Sequence, residues 1–153
     1  MHKKEKRFLV RFLPAFFIPY LLIHLLPLAP LNQAVAVTQN AFFEATGFET
    51  ELDGTLLTVR GGVEAHYRII TDCSGLVMVI LFAALLYATK PSWRALLLYS
   101  PLLIVFNLFR LYVTLYAGVQ FPSLFNATHM ALWFVDSAVV LLAWSHATKV
   151  NLW

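Results

Sequence analysis

Four stretches of the chain are apolar almost without interruption, 8–28, 73–89, 95–118 and 128–148, and the polar residues are gathered into short breaks and one longer segment, 31–72. A helix needs about 20 apolar residues to cross a bilayer core. The pattern therefore predicts a bundle of about four transmembrane helices. Pro14, Pro19, Pro27 and Pro30 punctuate the first span and its exit. A proline removes a backbone donor, so this span should be kinked and packed against neighbours. In the long polar segment, apolar residues at Leu31, Ala34, Val35, Ala41, Phe42 and Ala45 suit a helix lying at the membrane interface. Asp53-Gly54 and Gly61-Gly62 then mark two tight turns between strands at 48–52, 55–60 and 63–70. In the last strand Val63, Ala65, Tyr67 and Ile69 alternate with Glu64, His66 and Arg68. The expected fold is an all-α integral membrane protein, one membrane domain over 1–153. It carries a small extracytoplasmic β-hairpin or meander insert between spans one and two.

Composition agrees: 60% of residues are hydrophobic and 12% charged, with a mean hydropathy of +0.73, outside the range of soluble domains. The basic residues are segregated to Lys3, Lys4, Lys6, Arg7 and Arg11, then Lys90 and Arg94, then Lys149. With four spans these groups fall on one side, which the positive-inside rule assigns to the cytoplasm. The reading is a multi-pass protein of the cytoplasmic membrane with both termini inside, and the pI of about 9.2 reports topology, not nucleic-acid binding. Glu44, Glu49, Glu51, Asp53, Glu64 and Asp72 outnumber Arg60 and Arg68 on the outer side. The basic head Met1–Arg7, the apolar run and Ala34-Val35-Ala36 also resemble a signal peptide, but the run exceeds an h-region of ~7–15 residues. The single cysteine excludes an intramolecular disulfide, and no residues have zinc-site spacing, so neither metal nor cofactor is expected.

Chemistry enters with the polar residues inside the apolar runs. An arginine within a span is costly, which makes Arg110 a functional candidate. At about 1.5 Å per helical residue from the inner edge, Arg110 lies roughly 22 Å up, Cys73 roughly 24 Å, His129 roughly 29 Å and Asp136 roughly 18 Å. A thiol, an imidazole and a guanidinium at one depth are the parts for acyl transfer through a thioester. The thiolate is the nucleophile and a histidine its base, while an arginine donates to the oxyanion. Each residue also has a plainer reading. Cys73 could be a small buried hydrophobe, His129 an interfacial residue, and Asn107 an interhelical hydrogen-bonding group. Arg110 could snorkel or pair with Asp136. His66 and His24 also fall on the outer side as alternative bases. Asn126-Ala127-Thr128 matches a glycosylation sequon but abuts a span too closely for modification.

Cys73-Ser74-Gly75-Leu76 opening one span, Asn107-Leu108-Phe109-Arg110 within the next and His129 opening the one after resemble the exosortase/archaeosortase family of membrane cysteine transpeptidases. The resemblance covers roughly residues 55–145. It implies packed transmembrane helices with Cys73 as nucleophile assisted by Arg110 and His129 at the outer face. Asp72, Ser74, Gly75, Asn107 and Asp136 are the neighbours expected to support this site or bind substrate. The implied substrates are exported surface proteins ending in a short motif, a transmembrane helix and a basic tail. The acceptor would be an amine or another nucleophile, including a lipid or glycan. The chain departs from the family pattern in having one span before the cysteine, as a short-form member, and in placing Asp72 where a small residue is usual. A carboxylate there tends to raise the thiol pKa. The competing reading is a non-catalytic four-span assembly factor whose acidic outer module binds an envelope protein. A small transporter subunit is disfavoured by the sparse intramembrane charge.

Overall fold

A computed structural model of the chain describes residues 3–149, so Met1 and His2 of the basic head, and residues 150–153 at the other terminus, lie outside the described residues. In chain order the elements are α1 (Lys3–Leu25), α2 (Ala29–Ala45), β1 (Glu49–Asp53), β2 (Leu56–Arg60) and β3 (Glu64–Arg68). There follow a 3-10 turn (Thr71–Ser74), α3 (Leu76–Thr89), α4 (Trp93–Gln120), a second 3-10 turn (Pro122–Leu124) and α5 (Phe125–Thr148). The protein is mostly helical. α1, α4 and α5 are each long and apolar enough to cross a membrane, and α3 is apolar but shorter, at 14 residues.

Local chemistry sets the helix ends. Pro27 falls between α1 and α2, and Pro30 occupies the first turn of α2, where its missing N–H has no intrahelical partner to lose. α3 stops at Thr89, just before Lys90-Pro91, because a residue preceding proline is steered out of the α region. α4 then starts from Ser92, whose hydroxyl accepts from the Ala95 N–H at 3.3 Å. At the other end of α3 the helix begins later than the apolar run suggests. Gly75 takes a left-handed conformation (φ +80), which breaks the helix, and Cys73 lies in the 3-10 turn ahead of it instead of in the helix.

The three strands form one antiparallel sheet in the order β1-β2-β3. Asp53 pairs with Leu56, leaving Gly54-Thr55 as a two-residue turn in which Gly54 has φ +58. β3 begins at Glu64, one residue later than the alternation suggests. The Val63 N–H is drawn out of the sheet to the Val119 carbonyl at the end of α4, 3.3 Å away, and the Val63 side chain is 40% exposed.

Two apolar clusters hold the elements together. In the first, Leu57 and Val59 of β2 pack on Val35, Ala36 and Phe43 of α2 and on Leu111, Leu115 and Val119 of α4. Apolar burial of this kind contributes roughly 25 cal/mol per Å². Polar contacts fix its geometry. Buried Gln39 donates to the Leu108 carbonyl at 3.0 Å, and the Tyr67 hydroxyl donates to the Leu115 carbonyl at 3.1 Å. Gly118 admits that tyrosine, since a Cβ there would run into its hydroxyl and into Phe125. α2 is thus clamped between sheet and α4. The second cluster joins Met78, Phe82, Leu85 and Leu86 of α3 to Leu103 of α4 and Val140 of α5. α1 packs along α3 but buries no residue completely, and Val10, Ile18, Leu21 and Leu22 on it are exposed. An apolar surface of that extent suits lipid.

Candidate active site

Cys73 sits in a turn held at both backbone groups. Its N–H donates to the Ile70 carbonyl at 2.9 Å, and its carbonyl accepts from Asn107 Nδ2 of α4 at 2.8 Å. Ser74 closes the same turn: its buried hydroxyl donates to the Thr71 carbonyl at 2.6 Å and accepts from the Leu76 N–H at 3.3 Å. Gly75 is required for two reasons. Its positive φ favours glycine, and a Cβ there would stand 3.0 Å from the Asn107 Cβ. The Cys-Ser-Gly sequence therefore builds a tight turn against which Asn107 can lie flat.

The thiol is partly buried and packs against the cluster beneath the sheet. Burial pushes the Cys73 pKa up, and the nearby Asp72 carboxylate adds to the rise. A backbone hydrogen bond at Ile70 and the positive charge of Arg110 pull it the other way. Of the two opposing effects the Ile70 hydrogen bond is the larger and the Arg110 charge on α4 the smaller, and the balance leaves the thiol pKa raised.

Arg110 stands one helical turn beyond Asn107, 5% exposed, and its Nη2 donates to Asp136 Oδ2 of α5 at 3.0 Å. The ion pair that the depth count allowed is present. It leaves Arg110 Nε and Asp136 Oδ1 buried with no hydrogen-bond partner. His129 lies two turns from Asp136 on α5, between the rings of Phe125 (centroids 6.1 Å) and Trp133 (6.4 Å). Among the described residues no hydrogen bond joins His129 to Cys73. What links them is Arg110, whose charge acts on both.

The other histidines are committed elsewhere. His66 contacts the Thr58 hydroxyl at 2.9 Å and Glu64 at 3.4 Å on the exposed face of the sheet. His24, in the last turn of α1, places Nε2 3.0 Å from Asp72 Oδ1 and Nδ1 2.8 Å from the Tyr20 carbonyl. Both ring nitrogens face acceptors, and the ring satisfies both only as the imidazolium. Sequence reasoning had no signal for this pairing, because the partners are 48 positions apart.

A cavity of about 500 Å³ opens among α1, α3, α4 and α5. Tyr20, Asp72, Gly75, Asn107, Arg110 and Asp136 line its polar part, with apolar side chains from the four helices around them. Asp72 and Gly75 flank Cys73 in sequence. Asn107, Arg110 and Asp136 were expected near the site, whereas the aromatic wall from α1 carried no recognisable motif. No group of three or more His, Cys, Asp or Glu residues that could hold a metal ion occurs among the described residues.

Against known proteins, residues 6–145 match the model of the family described as transmembrane exosortase (Exosortase_EpsH). No curated protein and no solved structure matches the chain. The matched region takes in Cys73, Arg110, His129 and the residues lining the cavity.

Proposed function

The chain belongs to the transmembrane exosortase family, and from that membership we propose that it is a membrane-embedded cysteine transpeptidase with Cys73 as nucleophile. The observation that carries the reading is the meeting of Cys73 and α4: Asn107 grips the Cys73 carbonyl, and Arg110 follows one turn later on the wall of the same cavity. The proposed topology has four spans, α1, α3, α4 and α5. Both termini are cytoplasmic, and α2, the sheet and the Cys73 turn lie at the outer face of the cytoplasmic membrane.

In the proposed reaction His129 takes the proton of the Cys73 thiol, and the thiolate attacks the scissile carbonyl of an exported protein that ends in a short motif, a transmembrane helix and a basic tail. Arg110 N–H groups not committed to Asp136 stabilise the oxyanion. As the C–N bond breaks, His129 delivers a proton to the leaving amine, and the acyl group stays on Cys73 as a thioester. A lipid, glycan or other nucleophile then takes the acyl group and restores the thiol. Asp136 orients Arg110, and Asn107, Ser74 and Gly75 hold the turn. Asp72, paired with His24, flanks the thiol.

The test is processing of such an exported protein in cells expressing Cys73→Ala or Cys73→Ser. The variant protein accumulates in the membrane and the substrate stays uncleaved. Normal cleavage by Cys73→Ala would refute the reading.

One observation favours a second reading. An ion pair between Arg110 and Asp136 at 3.0 Å also suits a non-catalytic assembly factor in which the pair only joins α4 to α5. A thiol-reactive probe separates the two. Catalysis requires Cys73 labelling to depend on Arg110 and His129, and a scaffold does not.

A further inference from the structure

α1 and α5 both pack on α3, and neither packs extensively on the other. Between them runs a groove with α3 as its floor, and the cavity of about 500 Å³ lies in it. Phe16, Phe17 and Tyr20 form the α1 wall; Trp133, Asp136 and Ser137 form the α5 wall. Val77, Met78 and Leu81 supply the floor. The volume falls within the ~300–1,000 Å³ typical of ligand sites, as does the design of apolar walls around a few polar groups.

Those polar groups specify the ligand. Arg110 Nε is a buried donor and Asp136 Oδ1 a buried acceptor; neither has a partner, and both side chains line the cavity. Unsatisfied buried groups are rare in folded proteins because each carries a desolvation penalty of about 1–3 kcal/mol. A donor and an acceptor together are the complement of one extended residue, whose own N–H and C=O point to the same side. An anion such as a simple carboxylate would satisfy the arginine and be repelled by the aspartate. A hydrocarbon chain would satisfy neither. Apolar walls with one amide-reading pair suit a peptide with apolar side chains whose backbone presents C=O and N–H to the same side, as an extended residue does. Neither atom is open to solvent, so the peptide must shift lining side chains by the rotamer changes common on binding.

We infer that the groove between α1 and α5 binds an extended apolar peptide segment, with Arg110 Nε donating to a backbone carbonyl and Asp136 Oδ1 accepting from a backbone N–H. The inference rests on the transpeptidase reading in taking this segment to be part of the exported substrate, beside the scissile bond. It makes Asp136 a substrate-binding residue as well as the partner of Arg110. Asp72 and Gly75, which belong to the Cys73 turn and its cap, line the same cavity and put the bound segment next to that turn.

The test uses the full chain in lipid nanodiscs with Cys73→Ala, so that binding is read without chemistry. The probe is a capped Leu/Ala hexapeptide carrying a diazirine; its counterpart is identical except for methylated backbone nitrogens. Crosslinks of the first probe should map to Phe16–Tyr20 of α1 and Trp133–Ser137 of α5. Methylation should weaken labelling by about tenfold or more, as expected for loss of one hydrogen bond to a charged group. Asp136→Asn, which keeps an accepting oxygen, should stay within about threefold of the parent, and Asp136→Val should lose about tenfold. Equal labelling by both probes, or crosslinks away from these two helices, would overturn the inference even if Asp136→Val fails to fold, because the methylated probe changes no protein residue. If the hexapeptide labels the groove while the Cys-bearing protein cleaves no exported substrate, the site stands and the transpeptidase reading fails.

Discussion

Breaking the ion pair between α4 and α5 should be far more damaging than removing it. Arg110 is 5% exposed and the Asp136 side chain 14%, so both charges are held where water cannot compensate the loss of either. Asp136→Leu leaves a guanidinium that cannot shed its proton and already has an unpaired Nε. Removing one partner of a buried pair typically costs about 3–5 kcal/mol, a large part of a total stability of about 5–15 kcal/mol. Arg110→Leu leaves a carboxyl, which can neutralise itself by taking up a proton, so its loss should be smaller, about 1–3 kcal/mol. The double variant Arg110→Leu/Asp136→Leu has no stranded charge and should lie within about 1 kcal/mol of the parent. The assay is reversible unfolding in mixed SDS and dodecyl maltoside micelles, followed by tryptophan fluorescence, with substrate processing measured on the same three variants. The physical argument is refuted if the double variant is as unstable as the two single losses summed. The catalytic assignment of Arg110 is refuted if the refolded double variant processes substrate normally.

Gly75→Ala forces a side chain into a left-handed conformation and within 3.0 Å of Asn107, so it should destabilise by about 1–2 kcal/mol. It should also displace Asn107 from the Cys73 carbonyl, read as faster hydrogen exchange in the 71–76 turn. Because burial raises the Cys73 pKa, iodoacetamide alkylation should climb through the alkaline range, with its midpoint above that of a free thiol. By linkage, the stability tied to the neutral thiol is present below the unfolded pKa and fades as pH rises through the folded one, checked by unfolding midpoints on both sides. His24→Leu leaves Asp72 unpaired beside the thiol and should slow alkylation of Cys73 about twofold; Asp72→Asn in the same protein should restore the rate. If the double variant reacts as slowly as His24→Leu, the two residues do not act on the thiol together.

Hydrophobic runs and turn chemistry make much of the architecture legible in the sequence. The length of α4, the two turns before β2 and β3, and the helix near 31–47 are local consequences of apolar pattern, glycine and proline. Motif chemistry likewise singled out Cys73, Asn107, Arg110 and Asp136, because a charge or thiol in an apolar run stands out by itself. The family was recognisable from Cys73-Ser74-Gly75-Leu76, Asn107-Leu108-Phe109-Arg110 and His129, and the family match over 6–145 agrees. What sequence could not supply was lateral position. The rise of a helix fixes depth to a few ångströms, but which faces of α3, α4 and α5 meet depends on packing of side chains distant in sequence.

Only the tertiary structure therefore decided that Arg110 turns to Asp136, that His24 reaches across to Asp72, and that His129 lies between the rings of Phe125 and Trp133. It also decided that α2, expected to rest on the membrane surface, is clamped between sheet and α4 by buried Val35, Ala36, Gln39 and Phe43. Gly75 shows the division within one residue. The sequence alone marked it as part of a chemical motif, whereas its left-handed φ and its contact with Asn107 showed why no larger residue could let α4 approach the cysteine.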